Sequence, residues 1–246
     1  MYNYKLTVQY DGTRYRGWQV QGNTDQTIQG KLETVISRLT NEPVEVHGSG
    51  RTDAGVHALG QVANVKLSRP VEPDQLLHQI NRYLPEDIAV VELSPAPPRF
   101  HARLNAVSKT YRYRIWNSAI PNVLERHYLI PFPEPLDVVA IRQATSCLVG
   151  THDFRSFCGL KRFKKSTVRT IFSIEVTQSG PELTLQFCGN GFLMRMVRIL
   201  TGTLLEVGTG QRTPEQIPAI LAAQDRAAAG PAMPPQGLTL LKVSYE

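Results

Sequence analysis

One run of residues in this chain brings together a carboxylate, a guanidinium and an imidazole: Gly48-Ser49-Gly50-Arg51-Thr52-Asp53-Ala54-Gly55-Val56-His57. Asp53 sits among three glycines, with Arg51 two positions before it and His57 four after. Glycine accepts positive φ and lets the backbone approach a ligand closely. Such a segment between apolar stretches is a loop able to present one acid to something bulky. A lone presented carboxylate suits nucleophilic or acid–base work. Asp and Gly also dominate ordinary turns, where the carboxylate only caps the backbone, and this stretch alone leaves both uses open. A glycosidase-like pair needs a second acid opposite the first. Asp11 and Asp153 are available, but nothing in the sequence pairs either with Asp53.

Metal chemistry finds no ligand set. Cys147, Cys158 and Cys188 are odd in number and widely spaced, His57, His101 and His152 are scattered, and no CxxC or HExxH pattern occurs. This argues against a structural zinc site and a disulfide framework. The net charge of +6 is unevenly spread. Basic residues cluster at Arg99-Phe100-His101-Ala102-Arg103, Lys109-Thr110-Tyr111-Arg112-Tyr113-Arg114, Lys161-Arg162-Phe163-Lys164-Lys165 and Arg195-Met196-Val197-Arg198. Lys/Arg surfaces attract polyanions. Aromatics interleaved with arginines suit single-stranded or flipped RNA bases. An alternating Arg/Tyr strand is also an ordinary half-exposed β-strand, but four such clusters in one chain favour nucleic acid.

Two further residues stand out. Arg198 lies on an otherwise apolar stretch; exposed, it is idle, and buried, it must be paired. A buried Arg198 beside Asp53 would hold that acid ionised and oriented. Asn190-Gly191-Phe192 is a candidate capping turn for the same helix, with Phe192 its hydrophobic staple. Tyr111 opens an alternating strand, where it either packs across the sheet or stacks on a base with its hydroxyl near the reacting atoms. Tyr10, Tyr15 and Trp18 line a core or an RNA groove, with Trp18 read as core.

Periodicity supplies the elements that position these groups. Strands are expected at 5–10, 44–47, 61–67 and 88–93. Helices are expected at 27–39, capped by Thr27 or Asp25 and closed by Asn41, and at 74–84. Pro95-Ala96-Pro97-Pro98 is the candidate boundary or crossover. Beyond it come strands at 110–116, 168–176, 183–187 and 238–245, and helices at 138–149, 192–207 and 214–223. The expected fold is α+β. It has two similar halves, each a mainly antiparallel sheet with helices on one face, around a central RNA-binding cleft. Residues 1–98 would carry the Asp53 loop and 99–246 would complete the cleft. No apolar run spans a bilayer and the N-terminus lacks the pattern of a signal peptide, so a cytoplasmic location is expected.

These residues resemble a known family. Tyr10-Asp11-Gly12-Thr13 with Gly17-Trp18-Gln19-Val20-Gln21, the Gly50–Ala58 stretch around Asp53, and Phe100-His101-Ala102-Arg103 followed by Lys109-Thr110-Tyr111-Arg112-Tyr113 are similar to the tRNA pseudouridine synthase A family. Asp153-Phe154-Arg155-Ser156-Phe157, Gly191-Phe192-Leu193 with Met196-Val197-Arg198, and Gly237-Leu238 through Tyr245 extend the pattern over essentially the whole chain. The resemblance implies isomerisation of uridine to pseudouridine in the tRNA anticodon stem-loop, at tRNA positions 38, 39 and 40. It implies that Asp53 is the nucleophile, that Tyr111 stacks on the target base, that Arg198 pairs with Asp53 and that Arg51 displaces the flipped base. Arg51, Tyr111, His57 and Arg103 are the expected substrate-binding residues. The family works without metal or organic cofactor and as a homodimer.

Overall fold

The computed structural model describes residues 1–160 and 165–245. Most of the basic run at 161–165 therefore lies outside the described residues. The chain forms two compact units: Met1–Val107 with Thr239–Glu246, and Ser108–Leu238.

Unit 1 is built on strands β1 (Tyr2–Tyr10), β2 (Val46–Gly48), β3 (His57–Leu67) and β4 (Ile88–Ala96), with helices α1 (Ile28–Thr40) and α2 (Pro73–Tyr83). The sheet runs β4-β1-β3 and then the closing strand Leu238–Ser244, with β2 also paired to β3. The pairings are antiparallel except at the closing strand, which lies parallel to β3 with Thr239 opposite His57 and Leu240 opposite Ala58. Leu6 and Val8 of β1, Val46 of β2 and Ala63 and Val65 of β3 join Ile28, Leu32 and Ile36 of α1 in the core. Those three helix positions recur every four residues, which puts them on one face. Thr27 caps α1 by accepting the Gly30 amide at 3.2 Å, and Asn41 ends it at φ 54°, a left-handed conformation that Asn tolerates.

The proline-rich run does not interrupt unit 1. β4 passes through Pro95, opposite Tyr4, to Ala96. It lies at the sheet edge, where a residue without an N–H is accommodated. The following segment straps back across the same sheet. Asn3 Nδ2 donates to the carbonyls of Pro97 and Phe100, each at 2.9 Å. Asn64 Oδ1 accepts the Ala102 amide at 2.9 Å, and the Tyr245 hydroxyl donates to the Ala102 carbonyl at 2.7 Å.

Unit 2 holds β5 (Ser108–Trp116), β6 (Ile130–Pro131), β7 (Gly150–Asp153), β8 (Val168–Ser179) and β9 (Glu182–Gly189), with helices α3 (Val138–Ser146), α4 (Met196–Gly208) and α5 (Ile217–Ala223). Its strands run β5-β9-β8-β7, antiparallel throughout, with the short β6 parallel to β5. Tyr111, Tyr113 and Ile115 alternate into the core from β5 and meet Leu183, Leu185 and Phe187 from β9. Asp137 caps α3 through the Val139 and Ala140 amides at 2.9 and 3.0 Å.

One expectation needs correction. α4 starts at Met196, not at 192, and Asn190-Gly191-Phe192 is not its capping turn. The Asn190 side chain is engaged elsewhere, its Oδ1 accepting the Thr170 amide at 3.0 Å. The Phe192 ring packs edge-on to Tyr111, centroids 5.3 Å apart. Arg195 is the cap residue instead, at φ 59°. The 214–223 segment likewise opens as a 3-10 turn, Pro214–Gln216, before α5 begins; with prolines at 214 and 218, two amide donors are missing from its opening turns.

Candidate active site

The loop between β2 and β3 is fastened at both ends and along its inner edge. At its start, Ser49 Oγ donates to Oε1 of Gln61 at 2.7 Å, and Gln61 Nε2 donates to the Gly50 carbonyl at 2.9 Å. Gln61 and Ser49 are fully buried, so each satisfies a group that would otherwise be stranded away from water. In the middle, the Thr52 hydroxyl and the Tyr10 phenol share a buried hydrogen bond of 2.8 Å, and the Thr52 carbonyl accepts the Trp18 amide at 3.1 Å. Burial pushes the Tyr10 phenol above its ordinary value, which keeps it a neutral hydrogen-bonding partner. Past Asp53 the chain turns: the Val56 amide donates to the Asp53 carbonyl and the Gly55 amide to the Tyr15 carbonyl, at 3.2 and 3.3 Å.

A neighbouring segment presses on the loop from outside. Gly17 adopts φ +100°, and a Cβ there would stand 2.7 Å from the Thr52 carbonyl oxygen. Only glycine fits both that angle and that approach. Trp18 is 2 % exposed, the core residue expected from sequence. With Thr52 drawn inward on both its side chain and its backbone, Asp53 is left half-exposed and Arg51 exposed. Arg51 Nε donates to Gln19 Oε1 at 3.0 Å, which steadies the guanidinium along the loop rim.

His57 ends the loop at the first position of β3 and is 3 % exposed. Its Nδ1 lies 3.1 Å from the Gly12 amide and 3.1 Å from Oδ1 of Asp11. With its proton on Nε2 alone the ring accepts from the amide, and with a proton on Nδ1 it donates to the carboxylate, so this nitrogen serves one partner at a time. Buried in this way, His57 braces the end of the loop from behind. Arg103 is exposed, on the strap that Asn3 and Asn64 pin to unit 1. The strap also stacks His101 on His47, ring centroids 5.2 Å apart. Partial burial and the neighbouring His47 hold His101 below the ordinary imidazole range.

The other two candidates belong to unit 2. Tyr111 is 8 % exposed on β5, between Phe187 on the facing strand and the edge-on ring of Phe192. Arg198 sits in the first turn of α4, the helix that packs against β5. Its Nε donates to the Met233 carbonyl at 2.6 Å, and its own carbonyl accepts the Met233 amide at 3.1 Å. This double tie fixes where the guanidinium points. No group of three or more His, Cys, Asp or Glu side chains converges among the described residues.

A family model described as tRNA pseudouridine synthase matches residues 6–105 and 144–246, which include Asp53, His57, Arg103 and Arg198. The chain belongs to the tRNA pseudouridine synthase family. It is an isomerase that acts on tRNA. A tRNA pseudouridine synthase A of Bacillus sp. (strain KSM-64) is 49% identical over 94% of this chain and 94% of its own length. Relatives of the same name from Geobacillus kaustophilus and, as synthase A 2, from Clostridium tetani are 44% and 42% identical, over 98% and 99% of this chain and 94% and 98% of their own lengths. No helix among the described residues of the synthase is long and apolar enough to cross a membrane.

The fastenings of the loop were not singled out from the sequence. Gln61 carried a signal for them: a side-chain amide inside a mostly buried strand. Met233 as the mooring of Arg198 carried none, because it acts through its backbone.

Proposed function

We propose that the synthase isomerises uridine to pseudouridine in the anticodon stem-loop of tRNA, at positions 38, 39 and 40, with Asp53 as the nucleophile. The carrying observation is the loop itself: Thr52 is tied inward by Tyr10 and Trp18 while Asp53 beside it stays half-exposed. A carboxylate held in this way is preorganised for attack and needs little movement to reach the reacting atoms.

The target uridine leaves the helical stack to become reachable. Asp53 assists cleavage of the C1′–N1 bond, the detached uracil turns, and C1′ rebonds to C5. The proton leaves C5, and N1 regains one, so the product is an isomer with no redox or hydrolytic step. Tyr111 stacks on the extruded base, Arg198 holds Asp53 ionised, Arg51 fills the place the base vacates, and Arg103 contacts the RNA backbone. The enzyme works as a cytoplasmic homodimer without a cofactor, and residues 1–98 and 99–246 supply the two sides of its cleft.

Tritium release from C5-labelled uridine in tRNA tests the assignment. Asp53→Asn is expected to bind tRNA within about threefold of wild type and to release no tritium above background, since loss of a nucleophile removes a transition-state interaction alone. Substantial turnover by Asp53→Asn refutes it. Formation of free uracil or an abasic site by the wild-type enzyme would instead mark a hydrolase.

A further inference from the structure

A cavity of about 630 Å³ in unit 2 is lined by three arginines that arrive from three separate elements, one of them, Arg226, also donating through Nη1 to the Ala229 carbonyl at 3.1 Å. Arg155 comes from the 3-10 turn after β7, Arg195 from the cap of α4 and Arg226 from the 3-10 turn after α5. Among its described lining residues the one acid is Asp225, whose Oδ1 accepts the Ala227 amide at 3.0 Å. That carboxylate serves its own turn. Like charges gathered in one concavity repel one another, and an anion in their midst removes the repulsion.

The local backbone is arranged around this convergence. Arg195 and Gln224 both line the cavity and both hold left-handed φ, 59° and 48°. Gln224 does so as the C-cap of α5, a common helix ending, and Arg195 as the cap residue that opens α4. A Cβ at Gly159 would stand 3.1 Å from Cδ of Arg195, so the bare glycine gives the arginine stem its room. The volume falls within the roughly 300–1,000 Å³ of pockets that enclose small ligands. Guanidinium forks match the oxygens of a phosphate in bidentate fashion.

The cavity also adjoins the mooring of Arg198. Ile199 and Ala232 line it. Ile199 follows Arg198 directly, and Ala232 precedes the Met233 that binds Arg198 through two hydrogen bonds. A group seated here therefore lies one wall away from the guanidinium assigned to Asp53.

We propose that Arg155, Arg195 and Arg226 bind a backbone phosphate of the substrate RNA. The assignment rests on the reading of the chain as a synthase acting through Asp53, and it adds a phosphate subsite in unit 2 that holds the RNA in register.

The test is the salt dependence of tRNA affinity, measured by fluorescence anisotropy with the full-length protein. Each phosphate contact contributes about 0.7–0.9 to the slope of log K against log salt. Arg195→Gln and Arg226→Gln are each expected to flatten the slope by about that much and to raise KM for tRNA roughly tenfold, with kcat within about threefold. Arg195→Lys, which keeps the charge, is expected to keep most of the slope. Arg142→Gln, on α3, is the control and leaves the slope unchanged. Unchanged slopes in both Gln variants, with thermal unfolding like that of wild type, overturn the proposal. Titration calorimetry with AMP and with inorganic phosphate separates the sources. If wild type binds either one, the Gln variants lose that binding, and the tRNA slope does not move, the cavity belongs to a free ligand and the proposal fails. Failure of the underlying synthase reading shows itself separately, as wild-type enzyme that leaves no pseudouridine in tRNA.

Discussion

Gln61→Leu isolates the contribution of the loop fastening. The substitution keeps a side chain of similar size in a fully buried position and removes two hydrogen bonds, to Ser49 Oγ and to the Gly50 carbonyl, at 2.7 and 2.9 Å. Ser49 is itself fully buried, so its hydroxyl bears the larger penalty of a stranded polar group, about 1–3 kcal/mol. Gly50 is half-exposed, and its carbonyl recovers part of its bond from water, leaving about 0.5–1.5 kcal/mol. The sum is about 1.5–4.5 kcal/mol of unit 1 stability. Urea unfolding read through the buried Trp18 measures it. Activity is expected to fall further than binding: an ångström of drift at a reacting group lowers rate about a hundredfold, while the RNA contacts proposed for Arg51 and Arg103 are not touched. We expect kcat down roughly ten- to a hundredfold and tRNA affinity nearly unchanged. Ser49→Ala on the Gln61→Leu background removes the stranded hydroxyl and is expected to return part of the lost stability, because deleting both partners of a buried bond is milder than deleting one. A Gln61→Leu enzyme within about 0.5 kcal/mol of wild type and with an unchanged kcat would show that Gln61 does not hold the loop.

Two other perturbations follow from the same geometry. Gly17→Ala combines a φ of +100° with a Cβ placed 2.7 Å from the Thr52 carbonyl; it is expected to lower unit 1 stability by at least about 2 kcal/mol, and to lower kcat, in the unfolding and tritium-release assays. His101 is held below the ordinary imidazole value of about 6.5 by partial burial and by His47, so on acidification the unfolded chain takes up its proton before the folded one does. Stability is therefore full above that value and falls as pH drops from it toward the lowered one; His101→Asn is expected to flatten this part of a urea-midpoint profile, and an equally steep profile in the variant would refute the assignment.

Much of the scaffold was legible because its signals are local. The α1 face of Ile28, Leu32 and Ile36, its Thr27 cap and its Asn41 terminator all lie within one short window, and the helix forms as that window dictates. The start of α4 was misread because Asn190 and Phe192 have the right types for a cap and a staple, yet their partners, Thr170 and Tyr111, are distant in sequence. The proline-rich run at 95–98 reads as a candidate boundary or crossover, and only the sheet order, which places β4 at an edge, shows how a strand can pass through Pro95. His57 stands beside Asp53 in the motif, but strand β3 begins there and turns its ring inward.

The closing strand has a consequence for how the molecule is made. Its residues pair with β3 at His57 and Ala58, directly after the Asp53 loop. They leave the ribosome only after all of unit 2. The sheet that carries the Asp53 loop therefore stays open beside His57 and Ala58 of β3 through most of synthesis, and contacts of such sequence separation form late. A nascent or truncated chain that lacks this strand has an Asp53 loop without its full foundation. Assembly is thereby coupled to completion: the earliest-made part of the enzyme is locked last, and a fragment ending anywhere within unit 2 is not expected to act on RNA.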